Sequence, residues 1–168
     1  LDAGEHEVET AFDVRTVGAA TGEVSAGEEG HAGERRHPEV TAVLGEVASS
    51  LSLAGAPVAQ ENGVPMITPS STNARVTKVG DMIFRVCFLD SFQGYAMAKF
   101  AVEDLKAKKV ATLHDQSQAY STGLKDDFKT AFTSMGGVIT TEQAYNKGDP
   151  DFSAQLTNIK ATNPDAVF

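Results

Sequence analysis

The sequence predicts an α/β fold in which helices cover a parallel sheet, and three observations support this prediction. From residue 41 to the end of the chain, short apolar runs alternate with longer segments of helical periodicity. Gly and Pro residues stand where one kind of segment gives way to the other. Hydrophobic residues make up 41% of the chain and charged residues 22%, which is ordinary for a globular domain. Alternating βα units favour a parallel sheet with helices on both faces.

The first predicted elements are a strand and a helix. Residues 41–44 form a short apolar run that is closed by Gly45 and indicates a buried strand. A helix is expected from Ser49 to about Asn62. Hydroxyl residues at its start suit an N-cap, and Gly63 suits its C-terminal cap.

Two strands and a second helix follow. Residues 64–68 are predicted to be a strand that Pro69 stops, and residues 82–86 a third strand. A helix is expected over residues 92–107. Its apolar face is predicted to consist of Met97, Phe100, Ala101 and Leu105.

The next unit is a strand over residues 109–113 and a helix that Ser121 is expected to cap. Gly136 and Gly137 end this helix, and residues 138–140 begin another strand. The helix carries an apolar stripe formed by Leu124, Phe128, Ala131, Phe132 and Met135.

The last predicted helix begins with Asp149 as N-cap and Pro150 at the first helical position. Residues 166–168 have the character of one more strand. The stripe of the last helix is predicted to be Phe152, Leu156 and Ile159.

Charge and composition divide the chain near residue 40. Residues 1–40 contain ten acidic and three basic residues, a net charge of −7, whereas residues 41–168 contain thirteen acidic and eleven basic, a net charge of −2. The first segment is rich in Gly and has one Leu, so it cannot bury much apolar surface. We expect residues 1–40 to be an acidic disordered tail or an out-of-frame translation joined to a real coding region. Neither its glycine spacing nor its scattered histidines predict a phosphate loop or a metal site.

Composition also argues against several classes of function. The net charge of −9 argues against nucleic acid as a partner, because phosphate binding needs clustered Lys and Arg. No apolar run approaches the ~18 to 20 residues of a membrane span, and an export signal is expected to lie outside this chain. A single cysteine, Cys87, excludes an internal disulfide and a cysteine-built metal site. No cofactor is predicted.

The loops that follow strands are the best candidates for binding a ligand. In parallel sheets ligands bind at the carboxyl ends of strands, which here means residues 45–52, 68–73 and 114–121. Hydroxyls and the N–H groups of a helix N-terminus donate to a carboxylate, and hydroxyl oxygens accept from an ammonium, so such loops could hold a zwitterion without an ionic side chain. The alternative is that these residues only cap helices and turn corners. The hydroxyl residues of the first two loops are Ser49, Ser50, Ser52, Ser70, Ser71 and Thr72.

Three stretches of the sequence strongly resemble periplasmic binding proteins for leucine, isoleucine and valine. They read VLGEVASSLSLAGAPVAQENGVPMITPSSTNARVT, FRVCFLDSFQG and VATLHDQSQAYSTGL. The resemblance implies a type I periplasmic binding protein fold, in which two α/β lobes joined by three crossover strands close on a solute. By this likeness residues 41–89 are part of the first lobe and residues 90–168 the first part of the second lobe.

The resemblance also implies roles for four residues. Ser49 matches the serine that grips the ligand carboxylate, and Ser71 matches a position whose backbone groups serve the ammonium. Thr72 matches a threonine that contacts the ligand with hydroxyl and backbone, and Tyr120 matches the second-lobe tyrosine that covers the ligand. One extra residue precedes Tyr120 compared with the relatives.

Parts of the family pattern lie outside this resemblance. The family's first strand and helix should precede residue 41, and residues 1–40 do not resemble them. The acidic residue that usually pairs with the ligand ammonium is expected beyond Phe168. Because about half of the expected pocket is then absent, we expect the isolated chain to bind ligand weakly or not at all.

The function implied is that of a non-catalytic component of an ABC importer, which binds an amino acid in the periplasm and delivers it to the membrane permease. Branched-chain amino acids are the family default. An enzyme is the first alternative, but His114 and Asp115 are adjacent in an extended segment and point to opposite sides, and Cys87 has no evident partner. A ligand-binding sensor domain of a receptor or regulator with the same fold is the second. A regulator would need a helix-turn-helix, of which residues 1–40 show no sign.

Overall fold

The computed structural model describes residues 40–168 of the chain. The prediction of a disordered or out-of-frame segment over residues 1–40 therefore lies, except for Val40, outside the described residues. In the described part, strands and helices alternate as predicted and every paired strand is parallel to its neighbour. The strands form two three-stranded sheets, each covered by its own helices.

The first sheet is built by residues before Asp90. Its strand order is β1 (Val43–Leu44), β2 (Met66–Thr68) and β3 (Ile83–Arg85). Helix α1 (Ser49–Glu61) connects β1 to β2, and a short 3₁₀ helix (Val76–Lys78) precedes β3. The core of this half consists of Ala56, Ala59, Met66, Val76 and Ile83.

The second sheet is built by the rest of the chain. Helix α2 (Asp90–Glu103) leads into β4 (Lys109–Asp115), and α3 (Ala119–Ser134) leads into β5 (Val138–Tyr145). Helix α4 (Ser153–Ala161) then leads into β6 (Ala166–Val167), and the strand order is β5-β4-β6. The buried core of this half is Ala98, Ala101, Ala107, Val110, Phe128 and Phe132.

The predicted stripe on α3 is confirmed. Leu124, Phe128 and Phe132 are buried, and the Phe128 ring stacks on Phe168 with 3.9 Å between centroids. Ala131 and Met135 are partly buried against the same cluster. This stripe fixes α3 on the sheet, which sets the position of its N-terminus.

The predicted apolar face of α2 is wrong apart from Ala101. Met97 and Phe100 are 41% and 46% exposed. The helix ends at Glu103 rather than at residue 107, so Leu105, which is 55% exposed, lies beyond it. The buried face of α2 consists instead of small residues and one acid, namely Asp90, Gly94, Ala98 and Ala101. Small side chains allow α2 and α3 to approach closely, so the large residues of α2 are left on its outer side.

The predicted helix starts are also corrected. Ala48 and Gln118 occupy the N-cap positions of α1 and α3, and neither gives a side-chain capping bond. Ser121 lies inside the first turn of α3, where its Oγ accepts a hydrogen bond from the Asp115 N–H at 3.0 Å. The last helix begins at Ser153 rather than after Asp149 and Pro150.

Asp151 explains the late start of α4. Its Oδ1 accepts hydrogen bonds from the N–H of Ser153 at 2.9 Å and from the Ser153 hydroxyl at 2.5 Å. Asp149 does not cap this helix. Its Oδ2 instead accepts a hydrogen bond from the N–H of Asn146, which precedes it in the chain, at 2.8 Å. Of the predicted stripe on this helix, Ile159 is buried and Leu156 is 53% exposed.

Candidate functional site

A cleft of about 670 Å³ lies between the two halves of the described chain. Loops after β1 and β2 form one wall, and the loops after β4 and β5 with the start of α3 form the other. Both walls are therefore built at the carboxyl ends of parallel strands, as predicted for a ligand site. The lining residues are Val47, Ala48, Ser49, Ser70, Thr72, Phe88, Gln93, Asp115, Gln118, Tyr120, Ser121 and Tyr145.

One backbone carbonyl holds the two loops of the first wall together. The Glu46 oxygen accepts hydrogen bonds from the hydroxyls of Thr68 at 2.5 Å, Ser71 at 2.9 Å and Ser52 at 3.2 Å. The hydroxyls of Ser52 and Ser71 are also 2.7 Å apart. The loop after β1 and the loop after β2 thus form one rigid wall before any ligand arrives.

Two of the predicted ligand residues lie together on this wall. Ser49 is 1% exposed, and its Oγ accepts the N–H of Asn73 at 3.2 Å. Thr72 is 5% exposed, and its hydroxyl lies near the buried Asp90 carboxylate without a well-aligned hydrogen bond to any group among residues 40–168. A buried hydroxyl without a well-aligned partner is costly, so Thr72 offers a donor and acceptor suited to a group that enters the cleft.

The side chain of Ser71 is not part of the cleft wall. It is fully buried behind the loop, where its hydroxyl contacts Glu46, Val47 and Ser52. Its hydroxyl therefore supports the wall. The predicted role for its backbone groups stays a prediction.

Tyr120 is placed on the opposite wall, at the start of α3. Its ring lines the cleft and is 39% exposed, and its hydroxyl is 3.1 Å from Gln93 Nε2. The structure thus brings Ser49, Thr72 and Tyr120 around one cavity, with contributions from both halves.

Asp115 is the one acidic residue in the lining of this cleft. Its Oδ1 already accepts hydrogen bonds from the N–H of Ser117 at 2.9 Å and from the Ser117 hydroxyl at 2.6 Å. His114, its neighbour on β4, makes no hydrogen bond to it in the described part of the chain, and His114 Nδ1 is buried there without a partner. The two side chains do not form an acid–base pair.

Asp90 lies behind the cleft at the start of α2. Asp90 is 1% exposed, and neither carboxylate oxygen has a well-aligned hydrogen bond to a group among residues 40–168. Burial raises the pKa of this carboxyl, while the nearby Thr72 hydroxyl opposes the rise. Within residues 40–168 no three His, Cys, Asp or Glu side chains lie close enough to hold a metal ion.

Sequence reasoning missed several lining residues. Ser70 lies in the predicted loop, but the prediction favours its neighbours. Gln118 lies within the predicted loop 114–121 but has no predicted role there, and Tyr145 ends a strand of the second sheet, where the rule on strand ends would have found it. Phe88 and Gln93 come from the connection between the halves and from α2; both lie in the stretch FRVCFLDSFQG, but no ligand role is predicted for either of them.

Among the described helices, none has both the length and the apolar character needed to cross a bilayer.

The family model for periplasmic binding proteins matches residues 36–168. A curated relative, Leu/Ile/Val-binding protein homolog 3 of Brucella melitensis, is 36% identical over 127 residues, which are 75% of this chain and 34% of the relative. The crystal structure of a leucine-binding protein, LivK of Thermotoga maritima, aligns with a TM-score of 0.75 and 50% identity over 78% of this chain and 37% of that chain.

A third match widens the range of ligands found among similar proteins. It is the solute-binding protein of an ABC transporter from Rhodopseudomonas palustris, solved in complex with 3,4-dihydroxybenzoic acid, with a TM-score of 0.69 and 30% identity over 78% of this chain and 36% of that chain. The chain spans about a third of the length of the curated relatives it matches. These proteins bind solutes and are not enzymes. Fold, motifs and family match agree, and the chain belongs to the periplasmic binding protein family.

Proposed function

We propose that this chain is part of an amino-acid-binding protein of an ABC importer and supplies part of its ligand cleft. The ligand that we propose is a branched-chain amino acid. Residues 41–89 and 90–168 then belong to the two lobes that close on the ligand. The name of the Brucella relative and that of the Thermotoga structure support this ligand class. The protein would act in the periplasm, and its closed form would dock on the membrane permease.

The observation that carries this proposal is the buried hydroxyl of Thr72, which has no well-aligned hydrogen bond among residues 40–168 and lines the same cleft as Ser49. An α-amino acid carries a carboxylate and an ammonium group. Ser49 and Thr72 lie in two neighbouring segments of the wall, which hydrogen bonds to the Glu46 carbonyl join to each other. We assign the carboxylate to Ser49 and the ammonium to Thr72. Tyr120, on the opposite wall, then covers the ligand when the lobes close.

Calorimetric titration of L-leucine into the full-length protein that contains these residues tests the proposal. Thr72→Val keeps the side-chain shape but removes the hydroxyl, and Thr72→Ser keeps the hydroxyl. We expect Thr72→Val and Ser49→Ala to weaken binding by about 1–3 kcal/mol, roughly 5- to 150-fold, because each leaves a ligand group unpaired. Thr72→Ser should stay closer to the wild type. Unchanged affinity in both Thr72→Val and Ser49→Ala would overturn the assignment.

An aromatic carboxylate is the second candidate ligand. It is favoured by the Rhodopseudomonas complex and by the aromatic side chains of Phe88, Tyr120 and Tyr145 around the cleft. Such a ligand has no ammonium, so Thr72→Val should leave its affinity largely unchanged while Ser49→Ala weakens it. Parallel titrations with 3,4-dihydroxybenzoate and L-leucine distinguish the two candidates.

A further inference from the structure

The backbone of one residue at the start of α3, Ala119, is held on both its N–H and its carbonyl by side chains of the first half. The Ala119 N–H donates to Ser50 Oγ at 2.8 Å, and Asn73 Nδ2 donates to the Ala119 carbonyl at 2.8 Å. The Ser50 hydroxyl in turn donates to Gln118 Oε1 at 3.3 Å. These bonds link two segments of the chain that otherwise belong to different sheets.

Ser50 supplies the cap that α3 does not provide for itself. Gln118 is the N-cap residue of α3 and makes no side-chain capping bond. The N–H of Ala119 would then lack a partner at the helix start, a position where unpaired N–H groups are normally capped. The Ser50 oxygen satisfies it from the other half of the cleft.

Each residue of this contact adjoins a residue of the proposed site. Ser50 follows Ser49, Asn73 follows Thr72, and Ala119 precedes Tyr120. Asn73 is fixed in orientation, because its Oδ1 accepts the N–H of Arg75 at 3.0 Å and its own N–H donates to Ser49 Oγ at 3.2 Å. The loops that face the ligand therefore also grip the backbone that carries Tyr120.

A glycine permits this close approach. A methyl group built on Gly123, one turn into α3, would lie 2.5 Å from Asn73 Nδ2 and 2.8 Å from Asp90 Oδ2. Both neighbours are buried, so they have little room to move aside. Any side chain at this position would push the start of α3 away from Asn73.

We propose that Ser50 and Asn73 form a clamp on Ala119 that holds Tyr120 over the cleft. They are positioning residues, since they act through the backbone of α3 and do not line the cleft. The contact itself does not depend on the proposed function. Its purpose does, because we propose that the clamp favours the closed arrangement that binds solute. A clamp that raises the closed population lowers the apparent dissociation constant in proportion.

Fluorine NMR of the full chain labelled with 3-fluorotyrosine tests the clamp without any ligand. The chain contains three tyrosines, Tyr95, Tyr120 and Tyr145, so Tyr120→Phe assigns the signal of interest. We expect Ser50→Ala, Asn73→Ala and Gly123→Ala each to shift or broaden the Tyr120 signal while the Tyr95 signal stays in place. Ser50→Thr keeps the hydroxyl and should restore the wild-type signal.

Matched controls are available on surfaces away from the cleft. Ser134→Ala and Asn158→Ala remove exposed side chains of the same two types, whose hydrogen bonds stay within α3 and between α4 and β5. Neither should alter the Tyr120 signal. A Tyr120 signal that is the same in Ser50→Ala, Asn73→Ala and Gly123→Ala as in the wild type would overturn the clamp. An unchanged Tyr95 signal shows that a variant has folded.

Titration of L-leucine into the full-length protein that contains these residues, carrying the same substitutions, separates the clamp from the proposed ligand. We expect each clamp variant to bind about 2- to 10-fold more weakly, the effect of one neutral hydrogen bond. If the wild type does not bind leucine but the Tyr120 signal responds to the clamp variants, the clamp stands and the proposed ligand fails. If leucine binds but the Tyr120 signal never responds, the clamp fails and the proposed function stands.

Discussion

Gly94→Ala is expected to destabilise the second half of the chain, because Gly94 lies where α2 and α3 touch. A methyl group built on Gly94 would lie 2.6 Å from the backbone nitrogen of Phe128 and 2.8 Å from the backbone carbonyl carbon of Asp127. Ordinary contacts between such atoms are about 3.5 Å, so the helices must separate by roughly 0.9 Å. The separation would loosen the packing of Ala98 and Ala101 against Phe128.

The net effect follows from two opposing contributions. Overpacking a core costs about 1–3 kcal/mol, and a backbone atom cannot rotate away as a side chain can, so the upper end applies. Replacing Gly by Ala inside a helix returns about 1 kcal/mol through helix propensity. We therefore expect Gly94→Ala to lower the free energy of unfolding by about 1–2 kcal/mol, measured by urea unfolding followed by far-ultraviolet circular dichroism.

Ala96 provides the matched control, since it is exposed on the outer side of the same helix. Ala96→Gly should lose about 1 kcal/mol through helix propensity alone. If Gly94→Ala instead gains about the amount that Ala96→Gly loses, the helices are not in tight contact at Gly94 and the steric argument is refuted.

Two further predictions concern charged groups behind the cleft. Arg85 donates hydrogen bonds to the carbonyls of Ser71 at 3.2 Å and Asn73 at 2.8 Å. We expect Arg85→Ala to lower the free energy of unfolding by about 1.5–3 kcal/mol and Arg85→Lys to lower it by less. An alanine variant as stable as the wild type in urea unfolding would contradict this. Burial raises the pKa of the Asp90 carboxyl, so the folded state holds its proton more tightly than the unfolded state, and the stability gained is present below pH 3.8 and lost as pH rises through the raised pKa. Asp90→Asn should remove this loss, and urea midpoints that fall equally with pH in both proteins would refute the assignment.

The fold was predictable where apolar periodicity coincides with burial. On α3, large side chains recur at helical spacing, and these residues do face the sheet. On α2, the same reasoning selects Met97 and Phe100, yet Gly94 and Ala98 are buried. A periodicity argument counts apolar side chains, whereas helix–helix contact at this position requires small ones.

Local capping rules failed for a related reason. Asp149 and Pro150 have the composition of a helix start, but Asp149 Oδ2 accepts a bond from Asn146 in the preceding turn. Ser50 caps α3 from a distance of 69 residues in sequence. A partner so far away in sequence cannot be found from spacing, because only the packing of the two halves brings it into place.

The candidate site was predictable only in part because its loops carry more hydroxyls than a ligand can use. Ser49 and Ser71 are both serines in predicted ligand loops, and only their hydrogen-bond partners in the structure distinguish their roles. The Ser71 hydroxyl is used by Glu46 and Ser52, whereas the Thr72 hydroxyl is left without a well-aligned hydrogen bond among residues 40–168.

The charge of the groups that line the cleft bears on how it would select a solute. Its acidic residue, Asp115, already accepts two hydrogen bonds from Ser117 at Oδ1, and the groups that we propose to meet the ligand, the hydroxyls of Ser49 and Thr72, are neutral. Neutral hydrogen-bonding groups cost less to desolvate than charged ones, and they discriminate by leaving an ill-matched ligand group unpaired. Such a wall gains selectivity only when water is kept out, since water would satisfy the same hydroxyls. If Tyr120 covers the ligand as proposed, its placement over the cleft would matter to recognition as much as the hydroxyls do. The backbone contact that we propose holds it would then bear on affinity.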